Sequence, residues 1–149
     1  MAKDTIVVDL DGTLCNVEHR RHLVQGKHRD YEKFHSLVLK DKCNEWCRTL
    51  ITNFYNAGYD IQLVSARPKS SETLTRVWLA IHDIKYNQLK LVRPDGDTSP
   101  DVELKRAWLK GFDKDSILFT VDDRKRIVDM WREEGLVCLQ CDDWEKPKE

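Results

Sequence analysis

Thr5-Ile6-Val7-Val8-Asp9-Leu10-Asp11-Gly12-Thr13-Leu14 is the stretch that decides the architecture of this chain. Four consecutive β-branched residues, too few for a helix and cut off by a carboxylate, read as a short strand buried on both faces. Extended residues two apart point the same way, so Asp9 and Asp11 face one side beyond the strand's carboxyl end. Taken alone, Asp9-Leu10-Asp11-Gly12 is equally well a capped turn leaving a strand.

Four further runs, Ile61–Val64, Leu89–Val92, Ile117–Val121 and Val137–Gln140, share this character. Amphipathic helical patterns alternate with them. Cys47, Leu50, Ile51 and Phe54 repeat at i, i+3, i+4, i+7 before Gly58, and Leu74, Val77, Trp78 and Ile81 repeat the stripe after the capping candidates Ser70 and Ser71. A third helix is expected with Ser99 as N-cap and Pro100 at the first helical position, ending at Gly111. A fourth runs from Arg124 with Ile127, Met130 and Trp131 inward and ends at Gly135. Trp78, Trp108 and Trp131 fall on apolar stripes and are expected in the core; Trp46 and Trp144 are not placed. The alternation predicts an α/β fold: a three-layer parallel sheet of about five strands with helices on both faces. The whole of residues 1–149 reads as a single domain, with 15–42 as a small lid-like insertion after the first strand, where Tyr31–Leu39 suggests a short extra helix.

At 149 residues, with 25 Lys+Arg against 26 Asp+Glu, the chain is electrostatically balanced overall, which excludes a uniformly basic nucleic-acid coat or an acidic solvating tail. The longest stretch without charge, Thr49–Tyr59, falls well short of the roughly 20 apolar residues of a membrane span. Asp9 and Asp11 interrupt the first apolar run before a secretory signal can develop. Five cysteines, an odd number in no regular framework, point to a reducing, cytoplasmic setting, that of the host cell if the protein is phage-encoded. Cys43/Cys47 and Cys138/Cys141 have spacings at which thiolates can hold zinc. The plainer reading makes Cys47 and Cys138 small buried hydrophobes.

Asp122-Asp123 leave the fourth apolar run as Asp9 leaves the first, and Ser65 follows the second. Three strands thus end in polar groups at one edge of the sheet, the edge where open α/β sheets bind ligands. Asp122 alone is also explained as an N-cap of the following helix. A cluster of at least three carboxylates calls for a hard cation, and Mg²⁺ accepts a few carboxylates while keeping water.

With these features in place the sequence resembles the haloacid dehalogenase-like (HAD) phosphohydrolases. Asp9-Leu10-Asp11-Gly12-Thr13-Leu14 is similar to their first motif, Ser65 in Leu63-Val64-Ser65-Ala66-Arg67 to the second, Lys105 in Glu103-Leu104-Lys105-Arg106 to the third, and Val121-Asp122-Asp123-Arg124 to the fourth. Within that superfamily it resembles the phosphatase domain of bacteriophage polynucleotide kinase-phosphatase. That likeness lies in the tract from Val121-Asp122-Asp123-Arg124 through Val128-Asp129-Met130-Trp131-Arg132 to Gly135-Leu136-Val137-Cys138-Leu139-Gln140, and in Arg93-Pro94-Asp95-Gly96-Asp97. No G-x-x-x-x-G-K-[ST] phosphate loop occurs, so 5′-kinase activity is not expected of this chain.

The resemblance implies a HAD-like Rossmannoid sheet and a phosphomonoesterase. Asp9 would attack phosphorus to give an aspartyl-phosphate, and Asp11 would serve as general acid and then general base. Mg²⁺ would be held by Asp9, the Asp11 backbone and Asp122 or Asp123. Ser65 and Lys105 would bind the phosphoryl oxygens, with Thr13 among the substrate-binding residues.

The insertion carries seven Lys/Arg against four Asp/Glu and four of the five histidines, a local basic patch hidden by the global balance. It is either a solvated face or a grip in which Arg20 or Arg21, with Arg67, holds a phosphate or nucleotide. His19 and His22, at i, i+3, also have metal-ligand spacing. The resemblance favours a nucleic-acid 3′-phosphate as substrate. A phosphatase of free nucleoside monophosphates is the alternative, and a phospho-acceptor or binding module on the same fold is the non-enzymatic one. No membrane and no obligate protein partner are implied.

Overall fold

The computed structural model describes residues 2–144. Five strands form one parallel sheet: β1 (Thr5–Val8), β4 (Asp60–Pro68), β5 (Gln88–Arg93), β6 (Ile117–Asp122) and β7 (Cys138–Gln140), in the order β5-β4-β1-β6-β7. Two short strands, β2 (Cys15–Asn16) and β3 (Lys42–Cys43), pair antiparallel at the two ends of the insertion. Between them lie α1 (Glu18–Arg21) and α2 (Tyr31–Ser36), each followed by a 3-10 turn. The main helices are α3 (Glu45–Asn56), α4 (Glu72–Ile81), α5 (Asp101–Lys110) and α6 (Lys125–Glu133).

The pleat of β1 divides the core. Ile6 and Val8 pack with Cys47 and Ile51 of α3 and Trp78 of α4 on one face; Val7 packs with Leu109 of α5 and Ile127, Val128 and Trp131 of α6 on the other. Because α3 and α4 cover one face while α5 and α6 cover the other, the chain reverses direction across β1. The carboxyl ends of β1 and β6 lie side by side at that switch point, where such sheets open a crevice.

Several expectations shift by a residue or more. Pro100, rather than Ser99, takes the N-cap of α5, and the helix begins at Asp101. Lys69–Ser71 forms a 3-10 turn ahead of α4. β4 runs four residues past Val64, with a register break between Ser65 and Pro68, because β5 continues to pair with it. Val137 stands outside β7 and is exposed. Trp78, Trp108 and Trp131 occupy the core or its edge, while Trp46 is exposed.

The cysteines do not converge on zinc. Cys47 belongs to the core on the α3 face and Cys138 to the core on the α5/α6 face, so the sheet lies between them. All five are free, and burial pushes the Cys138 thiol up to about 11, as expected of a small buried hydrophobe.

Candidate active site

The strand ends form the floor of a cavity of about 850 Å³ whose lining includes Asp9, Asp11, Ser65, Arg67, Lys105, Asp122 and Asp123. Asp9, Asp122 and Asp123 each place a carboxylate oxygen within 4.8 Å of the others. Their closeness depends on Gly12, which turns the chain at φ +85°; a Cβ there would stand 2.1 Å from Asp123 Oδ2. Lys105, buried on α5, donates to Asp9 Oδ1 and Asp122 Oδ2, both at 2.9 Å.

Asp122 is not the N-cap of α6: Arg124 takes that place without a side-chain cap, and Asp122 instead ties down the turn ahead of the helix. Its Oδ1 accepts the backbone N–H of Asp123 at 2.9 Å and of Arg124 at 3.3 Å, while its Oδ2 faces Lys105. Thr13 lies fully buried behind the floor rather than on the cavity wall, its hydroxyl donating to Asp9 Oδ2 at 3.4 Å or Asp123 Oδ1 at 3.3 Å.

Three carboxylates with one ammonium are short of positive charge. Burial, and then repulsion from Asp122, raises Asp9 above the ordinary carboxylate range; burial and repulsion from Asp9 and Asp122 raise Asp123. Although burial opposes it, Asp122 and Asp9 hold Lys105 firmly protonated. An all-oxygen donor set with unrelieved negative charge fits a hard divalent cation such as Mg²⁺.

Asp11, two residues on, faces a different environment. Its Oδ1 accepts from Arg67 Nη2 at 2.5 Å and Nε at 3.1 Å, and from Arg20 Nη2 at 2.8 Å. Burial alone would raise its pKa, but Arg67 and then Arg20 hold it well below the usual carboxylate range. The Asp11 side chain therefore stands apart from the Asp9, Asp122 and Asp123 group.

The expected phosphate grip is arranged differently from the sequence reading. Arg67 lines the cavity, but Arg20 is fully buried behind Asp11, bonded to Asp41 and to the Phe34 carbonyl at 3.1 Å. Arg21 is buried with its guanidinium 4.8 Å from the Trp144 ring centre and is not part of the cavity wall. His19 bonds Asp41 at 2.6 Å instead of pairing with His22 around a metal. Ser65 is buried on the wall, its Oγ accepting the Arg67 N–H at 3.1 Å.

The cations at the cavity's rim are ones that sequence reasoning passed over: Arg29 from the insertion, Arg93 at the end of β5, and Arg124 and Arg126 at the start of α6. Asp101 holds the last two, at 2.8 and 3.0 Å. Their position just beyond Asp122-Asp123 was the available signal. Asp41 had none, being one acid among many charges in the insertion. His35, on α2, also lines the cavity; burial, then the nearby Arg67, Arg20 and Arg93, push its imidazole down to about 4 against the opposing pull of Asp11.

Residues 3–145 match the family model of the polynucleotide kinase PNKP phosphatase domain. A chain in the structure of the Pnkp1/Rnl/Hen1 complex is 28% identical, with a TM-score of 0.80 over 95% of this chain and 47% of that one. A chain in the Pnkp1/Rnl/Hen1 RNA repair complex is likewise 28% identical at TM-score 0.80, over 95% of this chain and 43% of its own length. This chain thus spans less than half the length of either. A putative phosphatase from Clostridium difficile shares the fold at 16% identity and TM-score 0.64, over 94% of this chain and 85% of that one.

Proposed function

The chain belongs to the family of polynucleotide kinase PNKP phosphatase domains and is a HAD-type phosphatase, and from that premise we propose that it removes the 3′-phosphate from a nucleic-acid end with the help of Mg²⁺. The observation that carries the reading is the convergence of Asp9, Asp122, Asp123 and Lys105 at the base of a cavity whose rim bears four arginines. Such a rim suits a chain of phosphodiesters better than a lone phosphate.

Asp9 attacks phosphorus and becomes an aspartyl-phosphate. Asp11, held ionised by Arg67 and Arg20, takes up the proton of the bound phosphate monoanion, gives it to the departing sugar oxygen, and then takes one from the water that frees phosphate. Its three hydrogen bonds all fall on Oδ1, which leaves Oδ2 to carry the proton. Lys105 and Ser65 bind phosphoryl oxygens, where loss of one such donor costs about 10²–10³ in rate. Asp9, Asp122 and Asp123, with the Asp11 backbone, would hold Mg²⁺, which when bound neutralises the floor and draws charge from the phosphoryl oxygens.

The test is phosphate release from a 3′-phosphorylated oligonucleotide and from nucleoside 5′-monophosphates, each with Mg²⁺ or chelator. Mg²⁺-dependent release, faster from the oligonucleotide and weakened by salt, is expected. Preference for the monophosphates, with indifference to salt, would instead identify a nucleotidase.

A further inference from the structure

Between the carboxylate floor and the arginine rim, the face that α2 turns to the cavity carries no charge. Tyr31 and His35 stand at i and i+4 on this helix, so they share one face, and both line the cavity. Asp30 caps the helix, accepting the Lys33 N–H at 3.0 Å. The inner end is fixed by buried Phe34, its carbonyl accepting from Arg20 Nη1 at 3.1 Å and its ring centre 4.1 Å from the guanidinium carbon. Arg20 in turn bonds Asp11, which sets this end of α2 beside the acid and base. The His35 ring meets Phe34 edge-on with centres 5.2 Å apart. Tyr31 lies one turn outward, about 6 Å along the helix axis. It is 53% exposed, and Arg29, also on the cavity wall, donates to its hydroxyl at 3.3 Å.

His35 Nδ1 is shut off from water and has no hydrogen-bond partner among the described residues. Burial, together with Arg67, Arg20 and Arg93 against the pull of Asp11, keeps the imidazole neutral. A neutral ring carries one N–H; without an acceptor at Nδ1 the proton belongs on Nε2, where it can donate into the cavity. Outward from Asp11 the wall therefore offers a hydrogen-bond donor, a flat ring and a cation. A 3′-terminal nucleotide presents its groups in the same order once its phosphate rests on the floor: sugar oxygens, base and 5′-phosphodiester. Uncharged rings suit the nucleoside as the arginines suit the phosphates, and an exposed aromatic ring beside cations is how single strands are held without regard to sequence.

We propose that this face of α2 is the subsite of the leaving nucleoside, with His35 Nε2 donating to its sugar and Tyr31 stacking on its base. The subsite rests on the reading of the chain as a 3′-phosphatase. It adds that the terminal base is held by its flat face, so that any base is accepted and a missing one is not.

The substrates that test it are oligonucleotides with a 3′-phosphate on a normal or an abasic terminal nucleotide, and p-nitrophenyl phosphate, which has no nucleoside. The wild type should favour the normal end over the abasic one by about 10-fold in kcat/KM, mostly through KM. Tyr31→Ala should collapse that ratio to within about two-fold, and Tyr31→Phe, which keeps the ring, should restore it. His35→Phe keeps the ring shape but removes the donor. It should lower the ratio of oligonucleotide to p-nitrophenyl phosphate hydrolysis by about 2–10-fold, on the abasic end as on the normal one. A normal-to-abasic ratio that Tyr31→Ala leaves unchanged, or a His35→Phe loss equal on all three substrates, would overturn the subsite. If the wild type hydrolyses nucleoside 5′-monophosphates faster than either oligonucleotide, the 3′-phosphatase reading fails and the subsite with it. If it prefers the 3′-phosphorylated end and the ratios ignore these variants, only the subsite falls.

Discussion

Leu10 separates two buried charge clusters built on opposite plans. On the Asp9 side, three carboxylates share one ammonium, and burial plus mutual repulsion raise Asp9 and Asp123. On the Asp11 side, two carboxylates meet two guanidiniums and the imidazole of His19, and Asp11 is lowered. The second cluster is electrostatically complete as it stands. The first lacks a cation, so it is the one prepared for a metal and a phosphoryl group. A chain that needed only to fold would balance both, since an uncompensated buried charge is costly.

The difference can be broken most directly at Asp9. Asp9→Asn should reduce Mg²⁺-supported hydrolysis of an aryl phosphate by about 10⁴-fold or more, because the nucleophile is lost. Its melting temperature in chelator should not fall, because one of three crowded carboxylates becomes neutral. Retained hydrolysis would remove the distinction between a reactive and a structural cluster.

Arg67→Met attacks the balanced side. It leaves Asp11 and Asp41 to share Arg20, and removal of one partner from such a buried network costs about 3–5 kcal/mol. The loss, read from urea unfolding, should be the same with Mg²⁺ or chelator, since the two guanidiniums already balance these carboxylates. A loss that Mg²⁺ repairs would show that the two clusters are one.

Gly12→Ala acts between them. The left-handed backbone at φ +85° costs a residue with a Cβ about 1–2 kcal/mol, and the new methyl must displace the Asp123 carboxylate. Stability should drop by at least that amount, and the rise in melting temperature on adding Mg²⁺ should shrink. An undiminished Mg²⁺ response would mean that Asp123 is not needed for the ion.

The two clusters were unequally legible in the sequence. Asp9, Asp122 and Asp123 are fixed by short-range rules: an apolar run ends, a carboxylate follows, and parallel strands bring their carboxyl ends to one edge. Lys105 came from the resemblance of Glu103-Leu104-Lys105-Arg106 to the third family motif. The balanced cluster obeys no local rule. Asp41 meets Arg20 from 21 residues upstream and Arg67 from 26 downstream, through an insertion whose helices are too short to show periodicity. Arg20 was read as a substrate contact because it belongs to the insertion's basic patch, whose cations suit a phosphate. Its complete burial is a tertiary fact that charge counting along the chain cannot supply.

The pH dependence of stability sharpens the comparison most finely. Asp9 and Asp123 bind protons more tightly folded than unfolded, so in chelator stability should fall as pH rises from about 4 through neutrality. Asp11 has the opposite sign: its contribution is present above the ordinary carboxylate range and is lost as pH falls toward its depressed value. Asp123→Asn removes one raised group and relieves its neighbour, so it should flatten the alkaline decline and stabilise the metal-free protein near pH 8 by about 1 kcal/mol, the worth of roughly one pKa unit. At pH 4, where the wild-type carboxyl already carries its proton, the advantage should vanish. Added Mg²⁺ should stabilise wild type more than the variant, reversing their order if the ion sits on this floor. A decline that survives the substitution unchanged would place the excess charge elsewhere, and the contrast across Leu10 would lose its electrostatic basis.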